Sequence, residues 1–307
     1  MPNAIPRIAV ALTFLCLAGP ARAVEEGFSI YPKGYMGFMS GVLPPEPGFY
    51  MTNSYYFFQG SAGREVRNGN IEANANIELN ADFFNATFVT DWHVLGATFA
   101  YGGLVDYAWL NLDASVQTAL GGVKITADRH TIGDTFIQPA ILGWHDGLLN
   151  WTLAMNVYVP TGPYQFRQLN IGRNVWGFLP QFSLTYFNPA TGLDMSGSLI
   201  YVTMSNNTTT NYQSGDILHL DWALGKHFGS WEFGVTGNVV AQLGADSGSG
   251  ARLGPFKANS LGIGPGLNYT TALGSTPTSF AVRWERDFNA HNTFKGDVVL
   301  GSATFVF

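Results

Sequence analysis

The sequence contains a single cysteine, Cys16, among its 307 residues. It lies in a short apolar run, residues 8–19, that follows Arg7 and precedes the small residues Ala21 and Ala23. This arrangement is typical of a secretory signal peptide, and the run is shorter than the roughly 20 apolar residues that a membrane helix needs. We predict cleavage after Ala23. The exported chain then has no thiol and no disulfide, so it depends on its own hydrogen bonding and packing.

Charged residues are scarce: they make up 12% of the chain, whereas aromatic residues make up 14%. Soluble domains carry roughly a quarter charged residues. Without Arg7 and Arg22, the chain has 13 basic and 21 acidic residues, a net charge of −8, which argues against a nucleic-acid partner. No stretch after residue 23 reaches 18 consecutive apolar residues, so the sequence also excludes membrane-spanning helices.

What the sequence does have is repeated alternation of apolar and polar residues, the pattern of half-buried strands. It is clearest in residues 231–243, where one face carries Trp231, Phe233, Val235, Gly237, Val239, Ala241 and Leu243. The opposite face carries Glu232, Gly234, Thr236, Asn238, Val240 and Gln242. Residues 149–159, 218–225, 261–270 and 280–285 alternate in the same way. Alternation alone suits a soluble sandwich or a lipocalin-like barrel equally well.

The connections between these segments separate the alternatives. Short links recur at residues 91–92, 145–147, 188–191, 229–230 and 274–277. Between them lie longer polar links at residues 61–72, 111–130, 161–175, 206–215, 245–255 and 289–294. Alternating short and long connections are typical of transmembrane barrels. Because hydrocarbon offers the backbone no hydrogen-bond partner, a spanning sheet must close on itself.

We therefore predict an all-β fold: a transmembrane antiparallel β-barrel of about 12 strands over residues 48–307, in the bacterial outer membrane. Its partners would be outer-membrane lipid and lipopolysaccharide. The last strand ends at Phe307, which resembles the signal that outer-membrane proteins present to the barrel-assembly machinery. Residues 24–47, rich in small and apolar residues and closed by prolines, suit a segment tucked into the lumen as a plug; the alternative is a free periplasmic arm.

The polar faces of the strands predict which side chains line the lumen. The principal candidates are His219, Asp221, Glu232, Asn238, Gln242, Arg283 and Glu285. Further candidates are Asn150, Asn156, Gln181, Ser183, Asp194, Ser196, Ser198 and Asn268. Buried ionised groups need partners, so Arg283 is expected to pair with Glu285, Asp287 or Asp221. Such a network is either purely structural or also filters solutes.

Catalytic and metal-binding patterns are weak. Residues 246–250 (DSGSG) superficially resemble a nucleophile loop, and His219 and Asp221 are near in sequence. A triad needs base and nucleophile within hydrogen-bond reach, and glycine, serine and aspartate are also ordinary loop residues. The six histidines show no H-x-x-x-H spacing. We predict no enzyme, no cofactor and no metal site.

Several strings resemble the meta-pathway phenol-degradation family of outer-membrane proteins. They are residues 132–139 (IGDTFIQP), 142–145 (LGWH), 157–164 (VYVPTGPY), 170–176 (NIGRNVW), 214–216 (SGD), with His219 and Asp221, and 246–254 (DSGSGARLG). The resemblance covers most of the chain from Gly48 onwards and implies a barrel that acts in uptake around aromatic catabolism.

The function predicted from these observations is a passive outer-membrane channel for small hydrophobic or aromatic compounds, the solute class being implied by the resemblance. The residues expected to contact the solute are Tyr35, Phe38, Tyr164, Phe166 and Trp176. The alternatives are a general polar porin and a barrel with a structural, adhesive or hydrolytic role.

Overall fold

The computed structural model describes residues 29–66, 71–118, 121–251 and 257–307, so the predicted signal peptide at residues 1–23 lies outside the described residues. Within them, no helix is long and apolar enough to cross a membrane. The described strands are β1 (Gly48–Val66), β2 (Ile71–Val94), β3 (Ala97–Thr118), β4 (Gly121–Ile132), β5 (Thr135–Asp146), β6 (Leu149–Val159), β7 (Gly177–Asn188), β8 (Leu193–Met204), β9 (Ile217–Phe228), β10 (Trp231–Gln242), β11 (Asn259–Leu273), β12 (Thr276–His291) and β13 (Lys295–Val306).

The sheet is closed, because each strand pairs antiparallel with its neighbours and β13 returns to β1. The closing register runs from Tyr50 opposite Val306 to Ser61 opposite Lys295. Closure leaves no free edge at the seam, so the backbone groups of both terminal strands are paired with each other. The prediction of a closed transmembrane antiparallel barrel is confirmed.

Thirteen strands occupy twelve positions around the barrel. The first part of β3, up to Leu104, pairs with β5, whereas its second part, from Tyr107, pairs with β4. Strands β4 and β5 therefore share one position in the barrel wall. Strand structure is interrupted between them at Gly133 and Asp134, where the amide of Gly133 donates to the carbonyl of Asp106 at 3.0 Å. The predicted count of about twelve strands is therefore confirmed as twelve wall positions.

Strands β1, β2 and β3 contain 19, 24 and 22 residues, about twice the 9–11 residues that cross a bilayer. Two of the long links predicted from the sequence are therefore wrong. Residues 61–72 and 111–130 are not loops, because β1 continues to Val66, β2 begins at Ile71, and β3 and β4 form a hairpin. Strand pairing outside the membrane tolerates polar residues on both faces, so hydrophobic alternation does not reveal it.

The predicted faces have the expected exposures. Phe233 is 51% exposed and Val282 is 54% exposed, whereas Glu232 and His219 are each 1% exposed. Outward apolar side chains face lipid, and inward polar side chains face the interior. At the end with the short turns, exposed and half-buried aromatic residues form a girdle of the kind found at membrane interfaces: Trp92, Trp144, Trp151, Phe228 and Trp231.

Two glycines of β13 allow the pairing of β13 with β1 to be tested. A Cβ at Gly296 would lie 2.0 Å from the carbonyl oxygen of Gln59 on β1, whereas a Cβ at Gly301 meets nothing within 4 Å. We expect Gly296→Ala to lower the free energy of unfolding by about 1–3 kcal/mol, the usual cost of overpacking. Gly301→Ala should leave it within about 0.5 kcal/mol of the unsubstituted protein. Urea midpoints followed by tryptophan fluorescence measure both, and equal losses in the two variants would contradict the close approach.

Candidate functional site

Residues 29–47 form an N-terminal segment that lies inside the barrel as far as Leu43, whereas residues 45–47 are exposed. Its hydrogen bonds reach strands on different sides of the closed wall: Tyr31 Oη to Asp221 of β9, Lys33 Nζ to Asp287 of β12, Met39 N to Asp194 of β8 and Gly41 N to Thr185 of β7, while Tyr56 of β1 donates to the carbonyl of Lys33. A segment bonded to opposite walls of a closed sheet occupies its interior. β1 begins directly after this segment, at Gly48.

Asp221 is the principal acceptor for the segment. Its carboxylate receives the hydroxyl of Tyr31 at 2.7 Å, the amide of Gly34 at 3.1 Å and the amide of Met36 at 3.0 Å. The side chain is 1% exposed. Because hydrogen bonds to a charged acceptor are worth more than those between neutral groups, this residue fixes the path of the backbone between residues 31 and 36.

Two basic side chains balance the interior acids beside it. Lys33 forms an ion pair of 2.5 Å with the buried carboxylate of Asp287. Arg283 donates from Nη2 to the carbonyls of Gly34 and Tyr35, at 3.1 and 2.6 Å. The arginine is thus held by the N-terminal segment and not by one of the acids predicted from the sequence.

Glu285 and Asn238 complete this layer. Asn238 Nδ2 donates to Glu285 Oε2 at 2.5 Å, and both side chains are buried. A Cβ at Gly34 would lie 2.7 Å from the same Oε2, and the φ of Gly34 is +70°. Only glycine satisfies both the left-handed backbone and the close approach, so the segment turns against the glutamate at this point.

Phe38 packs into a gap made by glycines of three adjacent strands. A Cβ at Gly225, Gly234 or Gly266 would lie 2.7–2.9 Å from the nearest carbon of its ring. Phe38 is 9% exposed, so it is a packing contact between the segment and β9, β10 and β11.

His219 and Gln242 lie further toward the end with the long loops. His219 Nε2 is 2.9 Å from Ser29 Oγ, and its ring meets that of Tyr31 edge-on at 4.9 Å. Gln242 donates to Asp246 Oδ1 at 2.6 Å. Ser247 pairs through its backbone with Gln213. The serine loop and the histidine therefore have separate partners, and the geometry offers no support for a hydrolytic triad.

A cavity of about 130 Å³ lies between the N-terminal segment and the long loops. Its lining is mostly apolar and includes Phe58, Leu79, Phe83, Leu110, Phe136, Tyr158, Ile171 and Phe294. An apolar cavity of about 150 Å³ holds one benzene ring. This cavity is therefore of the size of a single small aromatic ring.

A few polar groups line the same cavity. Asp134, at the break between β4 and β5, accepts the amides of Gly162 and Arg173 at 2.7 and 2.6 Å. These bonds draw the loop between β6 and β7 inward over the barrel. Asp106 on β3 also lines the cavity. The sequence analysis missed both aspartates as lining residues, although the string IGDTFIQP contains Asp134.

The structure brings together only some of the residues predicted to contact a solute. Tyr35 lies inside, with its ring 5.5 Å from that of Phe83, and Phe38 packs against the wall. Tyr164 is half-buried in the loop between β6 and β7, and Phe166 in the same loop is mostly exposed. Trp176 is 56% exposed and lies on the outward face with Phe178, so it is not part of the interior set.

Three potential metal ligands also come together, although the sequence predicted no metal site. They are Asp194, His227 and Glu232, at the end with the short turns. Each lies on a different strand, so their spacing in the sequence gave no ligand motif. Only the pairing of β8, β9 and β10 makes them neighbours.

Comparison with known proteins shows the family of the chain. Residues 59–301 match the family model described as "Putative MetA-pathway of phenol degradation". The chain belongs to this family. Among curated proteins, none matches.

Solved structures share the barrel. The crystal structure of an outer membrane channel from Pseudomonas putida F1 superposes with a TM-score of 0.65 at 13% identity, over 87% of this chain and 97% of that chain. The β-domain of a Bordetella autotransporter gives a TM-score of 0.44 at 10% identity, over 85% of this chain and 100% of that one. The chain thus shares the barrel fold of the Pseudomonas putida F1 outer membrane channel.

The role of Asp221 in holding the segment is testable with trypsin, which cleaves after an accessible Lys33. Asp221→Ala removes the acceptor of three hydrogen bonds, each worth about 1.5–3 kcal/mol when the acceptor is charged. We expect cleavage after Lys33 to become at least about tenfold faster, because local opening is favoured. The reaction is followed by mass spectrometry of the refolded protein in detergent.

The matched control is Asp297→Ala, since Asp297 lies on β13 with its bonds to Trp284 and Arg286 outside the interior. Its cleavage rate should stay unchanged. Unchanged cleavage in Asp221→Ala would mean that other contacts alone hold the segment.

Proposed function

We propose that this barrel is a passive outer-membrane channel for uptake of small hydrophobic or aromatic compounds. The observation that carries the proposal is the apolar cavity of about 130 Å³ inside the barrel. Small-molecule sites are typically concave and mostly apolar, with a few polar groups that orient the ligand. The family description, which names phenol degradation, supports an aromatic solute.

The cavity offers two kinds of contact. Phe83, Phe136 and Tyr158 present aromatic rings, with those of Phe136 and Tyr158 edge-on at 4.9 Å. Asp106 and Asp134 present carboxylate oxygens, which accept a hydrogen bond from a hydroxyl group but repel an anion. A phenolic solute fits both contacts. Binding of this kind is weak enough to permit release, which a conduit requires.

The N-terminal segment acts in this proposal as a plug within residues 24–47. It lies between the cavity and the end with the short turns, which is the periplasmic end in barrels of known orientation. In this proposal Asp221 and Arg283 hold the segment through their hydrogen bonds to it. The predicted lumen-lining residues are all buried: His219, Asp221, Glu232, Asn238, Gln242, Arg283 and Glu285. Displacement of the segment would open a path through the barrel. The hydrogen bonds that hold the segment therefore also determine which solutes pass.

The cellular setting follows from the same proposal. A signal peptide at residues 1–23 directs export, and β13 is the strand presented to the barrel-assembly machinery. The closed barrel shields a hydrophobic solute from the lipopolysaccharide layer. The solute moves down its own gradient.

The cavity can be tested by filling it. Ala108 lines the cavity and is 2% exposed, so Ala108→Phe places a ring where the solute is proposed to bind. We expect uptake of phenol into proteoliposomes to fall at least about tenfold. The introduced ring excludes the solute from the cavity, so the cavity loses its whole affinity for the solute. Uptake through lipid alone is subtracted with protein-free liposomes.

The matched control is Ala86→Phe, the same substitution on β2 at a position between the outward residues Phe84 and Phe88. It should leave uptake unchanged. Equal uptake in the two variants would remove the cavity from the route. Equal entry of phenol and a sugar of similar size would instead indicate a general polar porin.

The plug can be tested by deleting residues 29–47 and measuring liposome swelling in arabinose. Because the deletion removes the side chains that cross the interior, we expect sugar influx to rise by about tenfold or more, once the apolar selectivity is lost. Heat-modifiable migration on gels serves as the control for folding. A folded barrel whose sugar influx does not change would show that the segment does not limit passage.

A further inference from the structure

We propose that Asp194, His227 and Glu232 form a binding site for one divalent transition-metal ion of the zinc type. One ligand atom from each side chain lies within 4.8 Å of the others. This site goes beyond the proposed channel function and does not depend on it.

The three residues meet at the short-turn end of the barrel, beside the turn that precedes β8 and the turn that joins β9 and β10. Asp194 is the second residue of β8, His227 is the last but one of β9, and Glu232 is the second of β10. Glu232 lies directly opposite His227, and Asp194 lies opposite Gly225. All three face the interior. Gly225 leaves the necessary space, because a Cβ there would lie 2.3 Å from Glu232 Oε1.

Two of the ligand atoms lack hydrogen bonds. Glu232 is 1% exposed, and its Oε2 accepts from Asn268 at 3.0 Å. Its other oxygen, Oε1, and the Nε2 of His227 have no hydrogen-bond partner among the described residues and lie 3.2 Å apart. A buried polar atom without a partner is costly, and both of these atoms point into the same space as the Asp194 carboxylate.

The surroundings of the ligands fix their positions as outer partners do in metal sites. Ser196 donates to Asp194 Oδ1 at 2.6 Å, and the amide of Met39 donates to its Oδ2 at 2.9 Å. The ring of His227 is held edge-on to Phe187 at 4.9 Å. Each carboxylate oxygen retains a further lone pair for a metal ion.

The chemistry of the donors selects the class of ion. Two carboxyl groups placed together away from water are stabilised either by a shared proton or by a cation, and one imidazole with two carboxylates is a ligand set that suits Zn²⁺. Ca²⁺ and Mg²⁺ prefer oxygen ligands alone. Ligands about 2.1 Å from one ion lie at most about 4.2 Å apart, so the three groups close by about half an ångström on binding.

An ion has access from the short-turn end, since the side chain of His227 is 28% exposed and lies one residue before the turn that joins β9 and β10. The rival arrangement is an ion pair between protonated His227 and Glu232, which needs no metal. The two differ in whether Zn²⁺ binds.

The test is a Zn²⁺ titration of the refolded, chelator-treated full-length barrel in detergent, with a chromogenic chelator as competitor. We expect one ion per chain, a rise in the unfolding temperature with added Zn²⁺, and no competition from Ca²⁺ or Mg²⁺. His227→Gln and Glu232→Gln should each weaken Zn²⁺ binding at least about tenfold, because loss of even an outer partner costs that much.

The matched control is His93→Gln, an exposed histidine at the same end of the barrel, which should bind Zn²⁺ unchanged. If His227→Gln or Glu232→Gln lacks the heat-modifiable migration on gels that marks a folded barrel, Asp194→Asn is used in its place. Absence of Zn²⁺ binding, or an equal loss in His93→Gln and His227→Gln, would overturn the site and leave the ion pair.

Discussion

Every other feature of this protein depends on the hydrogen bonding of the backbone in a medium that offers none. A strand in hydrocarbon must pair on both edges, which joins β13 to β1 along the register from Tyr50 to Ser61. Closure then divides each strand into a lipid face and an interior face. The interior of a barrel this size is too narrow to remain a wide aqueous pore once large side chains enter it. What fills the interior therefore determines what the barrel can pass.

The interior is filled by the chain's own N-terminal segment. Buried charges need partners, and here the partners are largely backbone groups of that segment: amides of Gly34 and Met36 on Asp221, and carbonyls beside Arg283. The wall and the segment thus satisfy each other's hydrogen-bonding groups, and neither would keep this arrangement alone. In the proposed channel, a passage controlled by these hydrogen bonds differs from one controlled by size, because a solute or an ion that competes for the same groups changes it.

The sequence predicted the wall better than its contents, for a physical reason. Alternation over residues 231–243 separates the two faces of β10, so it distinguishes the exposed Phe233 from the buried Glu232. The hairpins that continue to Val66 and Thr118 were predicted as loops, since water on both sides imposes no alternation. Contacts such as Tyr31 with Asp221, or Phe38 with three glycines, join residues far apart in the chain. No local pattern encodes them.

The cluster of Asp194, His227 and Glu232 shows how register creates chemistry without a motif. Antiparallel pairing around the barrel places residues near successive strand ends side by side, whatever their spacing in the sequence. Asp194 also accepts the amide of Met39, so its carboxylate belongs both to this cluster and to the contacts that hold the segment. A change of charge at the cluster must alter that hydrogen bond. The apolar cavity lies toward one end of the interior, and the cluster of two acids and one imidazole lies at the other. The same nineteen-residue stretch, residues 29–47, therefore joins the two ends.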